Sequence, residues 1–231
     1  MKNVKLLALD TATEACSAAL YVDGNIIQRY QLAPREHTGL ILQMLDDCLA
    51  EGGLSLSGLD ALAFGRGPGS FMGLRIAAGV VQGISLAHDL PIVPVSTLES
   101  IAHIQMQQHG ALRVLAAIDA RMSEVYWGAF INKAGTPILQ AEEMVVSPDQ
   151  VPLPDSQGWS GAGTGWGSYA EVLNQRLGDR LSSSVAEVYP SAASIAQLAV
   201  AKLASGETGV DASQAIPVYL RDQVAKKAAS R

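Results

Sequence analysis

LDALAFGRGPGSFMGLR, from Leu59 to Arg75, is an apolar strand that runs into a glycine-rich turn and opens a helix. Nucleotide enzymes often hold phosphate at such a junction, because glycines let the backbone come close to a ligand and the free N–H groups of the helix face the turn. The named phosphate motifs fit poorly. A Walker loop needs a lysine followed by a hydroxyl residue, and Arg66 is the only cation inside this turn. A dinucleotide fingerprint needs a third glycine where Met72 stands. A tight strand-to-helix connection, with Pro68 fixing φ and Ser70 capping the helix, accounts for the same residues without a ligand.

The helix after the turn, Phe71 to His88, carries Ile76, Ala77, Ala78, Val80, Val81, Ile84, Leu86 and Ala87, which leaves little of its circumference polar and predicts burial nearly all round. Gly79 and Gly83 lie one helical turn apart and suit close helix–helix approach. If the second face is not covered within the domain it is a partner surface; the other reading is a central core helix. Upstream, Leu40, Ile41, Met44, Leu45, Cys48 and Leu49 recur at helical spacing, with Thr38 as a candidate N-cap and Gly52-Gly53 as the stop, so a helix is expected from Thr38 to Ala50. Pro91 to Val95 reads as a returning strand, and Ser96 or Thr97 caps a helix reaching about Gln108.

The chain echoes itself. Leu6 to Asp10, a polar turn, and Ala18 to Val22 before Asp23-Gly24 read as strand, turn, strand and tight turn; Leu115 to Asp119, a polar turn, and Val125 to Phe130 before Ala134-Gly135 repeat that order. Two structurally similar halves, 1–109 and 110–231, follow from the repetition. In the second half, Pro148 to Gly167 is mostly loop around a short strand, and the GAGTG run from Gly161 to Gly165 is a turn-rich segment. Ala192 to Ala204 is an Ala-rich helix, and Ala215 to Leu220 is extended, with Lys226 and Lys227 beyond it.

At 231 residues and 48% apolar content, the chain can bury a large core. Its net charge of −6, with only 16% charged residues, argues against a free-standing grip on a nucleic acid backbone. Cys16 and Cys48 are too few for a disulfide framework or a zinc site. Neither a secretory leader nor a bilayer span is expected: the apolar run Val4 to Leu9 ends at Asp10, and Leu74 to Ala87 is interrupted by Gln82. These features predict a cytoplasmic protein.

Asp10 and Asp119, each ending an apolar strand, are the best catalytic candidates, placed to face one another across a cleft and coordinate a magnesium–nucleotide complex. Their turns contain no glycine, however, and turn-capping through local hydrogen bonds is the preferred reading of both aspartates. His37, His88, His103 and His109 show no metal-ligand spacing, and no motif couples a serine or cysteine to a base.

Taken together, LDTATEACSAAL, REHT, AFGRGPGSFMGLR, PVSTLES, AAIDARMSEVYWGAF, GTGW and the terminal PVYLRD resemble the TsaB (YeaZ) family over Leu9 to Asp222. The resemblance implies an α/β fold of two ribonuclease-H-like halves of the actin-like ATPase superfamily, each a mixed sheet with flanking helices. It also implies a non-catalytic role in making threonylcarbamoyl-adenosine next to the anticodon of tRNAs that read codons starting with adenine. The catalytic relative, TsaD, binds a metal through two histidines; laying its motif over Pro94 to Ile101 puts Thr97 and Ile101 at those positions, and isoleucine has no donor atom. No metal and no cofactor are therefore expected, and Asp10, Arg66 and Asp119 remain as candidates for a degenerate nucleotide site. The implied partner surface is the first two helices, here with Leu40, Ile41, Met44, Leu45, Ile76, Gly79, Val80 and Gly83. The implied partners are TsaD in a heterodimer and TsaE in a ternary complex, with tRNA met only through the complex and a homodimer when the chain is alone. The alternative is an independent nucleotide-binding, ATPase-like enzyme using Asp10, Arg66 and Asp119; a protease is a remote third reading.

Overall fold

The computed structural model of the chain describes residues 4–221, so Asp222, Lys226 and Lys227 lie outside the described residues. The first half begins with β1 (Lys5–Asp10), β2 (Ala15–Val22) and β3 (Asn25–Leu32), joined in antiparallel register with Asp10 opposite Ser17 and Val22 opposite Asn25. Strands β1 and β2 are covered on both faces, which is why their sequences are almost continuously apolar. α1 (His37–Gly52), β4 (Ala61–Gly67), α2 (Phe71–His88), β5 (Ile92–Ser96) and α3 (Thr97–His109) complete this half. β4 runs parallel to both β1 and β5, giving the sheet order β3-β2-β1-β4-β5.

The second half repeats the plan with β6 (Arg113–Arg121), β7 (Glu124–Lys133), β8 (Thr136–Leu139), β9 (Met144–Val146), β10 (Trp159–Ala162), α4 (Gly165–Ser168), α5 (Ala170–Leu177), β11 (Leu181–Val185) and α6 (Ala192–Ala204). Its order, β8-β7-β6-β10-β11, matches the first sheet strand for strand, including the parallel pairs β6/β10 and β10/β11. The protein is thus an α/β fold of two ribonuclease-H-like mixed sheets with flanking helices. α1 has no helical counterpart: the segment between β8 and β10 holds only the short β9 and a single 3-10 turn.

The helices interleave the halves. α6 packs on the first sheet through Ala192, Ile195, Ala196, Leu198 and Ala199, whereas α3 packs mainly on the second through Leu98, Ile101, Ala102 and Met106. α4 and α5 cover the far face of the second sheet around Trp127, Trp159 and Trp166, and α1 and α2 cover the far face of the first. Among the described residues, the segment 212–219 lies against α2 from outside the sheet, through Gln82–Ala215 and Arg75–Tyr219, and much of the outer face of α1 and α2 stays exposed.

That position corrects one expectation about α2. Over its 18 residues the mean hydropathy is 1.2, which meets the length and composition of a membrane span, a test that the core helix of a soluble protein also passes. It is not buried all round, however: Gly73, Leu74, Ala77, Ala78, Val81 and Ser85 face the sheet, while Met72 and Leu86 are 64% and 79% exposed and a Cβ on Gly79 or Gly83 would meet nothing within 4 Å. On α1, Thr38 is not the cap; Glu36 occupies that position without a side-chain cap bond, and Gly53 closes the helix in the left-handed region. Ser70 and Ser96 do cap α2 and α3 through their hydroxyl oxygens.

Candidate functional site

The glycine turn is filled by the chain itself. Gly65 leaves the last stretch of β4 so close to Asp10 that an added Cβ would overlap the carboxylate, and Gly67, at φ 108°, would place one 2.7 Å from the Val218 carbonyl oxygen. After the cis Gly67-Pro68 peptide, Gly69 lies against Ala12 and Gly73 against Thr11, with would-be Cβ distances of 3.1 and 3.0 Å to their carbonyl carbons and less to the oxygens. Hydrogen bonds close the same seam: Ser70 N–H donates to Ala12 O at 2.7 Å, and the buried Thr11 hydroxyl donates to Gly73 O at 2.6 Å. Gly73 N–H is turned to the Ser70 hydroxyl at 3.4 Å. Close approach is what these glycines permit, and the backbone that approaches is the β1–β2 turn at Gly69 and Gly73 and the Val218 carbonyl at Gly67.

Asp10 lies beneath this seam, with no exposed surface. Its Oδ1 accepts from Ala12 N–H at 3.1 Å, a local turn cap, while Oδ2 has no partner. Burial pushes its carboxyl from 3.8 up to about 7, with the Ala12 bond pulling weakly the other way. Cys16, deep in the same region, is pushed to about 11 by burial and by the neighbouring Asp10 charge.

Asp119 is treated differently by its surroundings. Oδ1 accepts from Arg121 N–H at 2.8 Å and from the Tyr169 hydroxyl at 3.3 Å; Oδ2 accepts from the Arg121 guanidinium at 3.1 Å and the Ser168 hydroxyl at 3.2 Å. Arg121 also reaches Glu14 at 3.4 Å, so the two hairpin turns meet through an ion pair. The turn at Arg121-Met122-Ser123 runs through three successive left-handed residues, which the Asp119 bonds hold in place. The two aspartates therefore do not form an open carboxylate pair, and each accepts the local turn-capping bond that the sequence reading preferred: one is sealed under glycine, the other is saturated by hydroxyls and Arg121. Among the described residues no cluster of three or more His, Cys, Asp or Glu is placed to hold a metal.

Arg66 points elsewhere again. Its guanidinium lies 3.6 Å from Glu143, which also accepts the Ser96 hydroxyl; burial raises the Glu143 carboxyl against the pull of both partners. Glu143 comes from the loop between β8 and β9, so this contact ties the second half to the glycine turn. No period or motif marks Glu143 in the sequence. Thr97 and Ile101 are both fully buried, and Ile101 packs in the core between α3 and the second sheet.

The expected partner-surface residues divide. Ile41, Met44 and Leu45 are at most 8% exposed and pack in the core between α1 and the first sheet, so they offer little surface to a partner. They recur on the helix face turned to the strands, and sequence periodicity does not distinguish the core from an interface. Leu40, Ile76 and Val80 are half-buried at the rim of that core, and Gly79 and Gly83 are open. Leu42, 58% exposed, is the residue on α1 that the periodicity missed.

One serine–histidine pair was not foreseen. His103 Nδ1 lies 2.9 Å from Ser194 Oγ, but that hydroxyl donates to Ser100 O at 3.1 Å and so accepts from the imidazole. Both residues are buried in the α3–α6 contact, and the arrangement is that of a packing hydrogen bond rather than an activated nucleophile.

Comparison with known proteins is consistent along almost the whole chain. A family model described as "TsaD: tRNA N6-adenosine threonylcarbamoyltransferase" matches residues 25–229. The tRNA threonylcarbamoyladenosine biosynthesis protein TsaB of Escherichia coli is 43% identical over 97% of this chain and 97% of its own length, and that of Haemophilus influenzae is 40% identical over 98% of both. YeaZ from Pseudomonas aeruginosa superposes with a TM-score of 0.87 at 46% identity, covering 94% of this chain and 100% of that one. A further structure, described as an uncharacterized protein with similarity to peptidase YeaZ from Pseudomonas aeruginosa, gives a TM-score of 0.88 at 47% identity, again over 94% and 100%.

Proposed function

The chain belongs to the TsaB (YeaZ) family of tRNA threonylcarbamoyladenosine biosynthesis proteins, and from that premise we propose that it is a non-catalytic subunit of the modifying machinery. In this reading it pairs with TsaD through α1 and α2, stabilises the competent form of that enzyme, and completes the platform on which TsaE docks. It works in the cytoplasm and meets tRNA only through the complex, in keeping with its net charge of −6.

The observation that carries the proposal is the filled turn. The carbonyls of Thr11 and Ala12 press against Gly73 and Gly69, where a nucleotide enzyme would seat phosphate, and Ser70 N–H is already bound to Ala12 O. The exposed apolar side chains on the outer face of α2, Met72 and Leu86 among them, supply the complementary half of the argument, since such a face suits a partner. The two halves 1–109 and 110–231 serve as one scaffold in this account, tied by Arg66–Glu143 and Arg121–Glu14.

Calorimetric titration of the isolated protein with magnesium–ATP separates this reading from an independent nucleotide-binding enzyme. The scaffold reading expects no micromolar binding. Micromolar affinity that disappears in Asp10→Asn would establish the alternative.

A further inference from the structure

We propose that Arg75, Phe71 and Tyr219 form a preorganised anchor for a carboxylate carried on an apolar helix of the protein partner, which makes the C-terminal strap, residues 215–221, part of the docking surface beside α2. The inference rests on the partner-binding role proposed above and specifies what that surface recognises.

The three side chains stand at the N-terminal end of α2. The Arg75 guanidinium lies 3.8 Å from the centroid of the Phe71 ring, and its Nε donates to the Tyr219 hydroxyl at 3.2 Å. The two aromatic rings are 5.4 Å apart, yet Phe71 is 51% and Tyr219 41% exposed. No carboxylate lies within ion-pairing distance of Arg75 among the described residues. A guanidinium held by stacking and by one hydrogen bond, its terminal N–H groups making no hydrogen bond to the described residues, fits the two oxygens of a carboxylate. The Tyr219 O–H, having accepted from Arg75, is free to donate to the same group.

The strap fixes Tyr219 before any partner arrives. Val218 N–H donates to Arg66 O at 2.8 Å, the Gln82 amide donates to Ala215 O at 3.0 Å, and the Arg221 guanidinium binds Ala120 O at 3.0 Å and the Glu124 carboxylate. Ordering costs that an exposed arginine would otherwise incur on binding are therefore already met within the fold. Arginine and aromatic residues so placed are the usual energetic centre of an interface.

The helix that carries the carboxylate is specified by the seam next to the anchor. Met72, Ile76, Gly79, Gly83 and Leu86 follow one another at spacings of four, three, four and three, the alternation of a helical seam. Arg75 supplies positive charge in the second turn of α2, near the end where the helix dipole also favours an anion.

Binding of the TsaD protein from the same genome, measured calorimetrically at low and high salt, tests the anchor. Arg75→Ala is expected to weaken binding about tenfold and to flatten its salt dependence, and Tyr219→Phe severalfold. Arg75→Glu is expected to weaken it by about a hundredfold, with the melting temperature unchanged. One acidic-to-arginine change on the contacting TsaD helices should restore Arg75→Glu to within tenfold of wild type. Arg75→Glu that binds within threefold of wild type, while Gly79→Trp loses binding, would overturn the anchor and leave the seam. Wild-type binding by both variants would instead overturn the partner reading itself. A loss seen only as weaker tRNA binding by an intact complex would also overturn the proposal, because the occupant would then be phosphate.

Discussion

Replacing Gly73 with alanine asks directly whether the glycine turn is a structural seam. The new Cβ would sit 3.0 Å from the Thr11 carbonyl carbon and nearer still to its oxygen, and both sides of that contact are backbone, so no flexible side chain can yield. Relief requires the first turn of α2 to retreat from the β1–β2 turn. Overpacking of this kind costs about 1–3 kcal/mol. The retreat also stretches the Ser70–Ala12 and Thr11–Gly73 hydrogen bonds, now 2.7 and 2.6 Å, at about 1 kcal/mol each. Alanine returns up to about 1 kcal/mol of helix propensity, leaving a net loss of about 2–4 kcal/mol. For a chain of this size that lowers the melting temperature by roughly 5–15 °C. Gly79→Ala is the internal control: nothing lies within 4 Å of its Cβ, so propensity alone acts and stability should rise by about 0.5–1 kcal/mol. Urea unfolding followed by circular dichroism reads both. Gly73→Ala within about 0.5 kcal/mol of wild type, or an equal loss in Gly79→Ala, would refute the reasoning.

Asp10 predicts an inverted pH dependence. Its carboxyl titrates near 7 when folded and near 3.8 when unfolded, so the native state holds the proton more tightly between those values; its contribution is full below about pH 4 and is lost as pH rises through 7. The loss is at most about 4 kcal/mol. Asp10→Asn should remove that slope and be more stable than wild type at pH 8 by about 1–3 kcal/mol, the amide's own unpaired donor offsetting part of the gain; a variant less stable at pH 8 than wild type would contradict the assignment. Ser96→Ala removes the acceptor of Leu98 and Glu99 N–H and the hydroxyl that donates to Glu143, and should cost about 2–3 kcal/mol in thermal or urea unfolding.

Much of the fold was legible because it is written in short-range patterns. The repeated strand–turn–strand units near Asp10 and Asp119, the Ser70 and Ser96 caps and the Ala192–Ala204 helix all follow from local propensity and period. The layering was not legible. α3 and α6 cross to the opposite sheets, which no local pattern encodes, and the α1 stripe of Ile41, Met44 and Leu45 looks the same whether it meets a strand or a partner. The candidate site was half legible: glycine spacing signalled close approach, but the approaching backbone, the β1–β2 turn, lies more than fifty residues away in the chain. Glu143 and Tyr219 reach their partners across similar or longer separations, and only tertiary structure brings them there.

Reconstitution of tRNA threonylcarbamoylation from TsaD, TsaE and a supply of threonylcarbamoyl-adenylate, with and without this chain, tests the central claim most directly. The account predicts modification that depends on the wild-type chain, survives Asp10→Asn, and is lost with Gly79→Trp although that variant remains folded. Modification that proceeds equally without the chain, or is lost in Asp10→Asn and retained in Gly79→Trp, would contradict it.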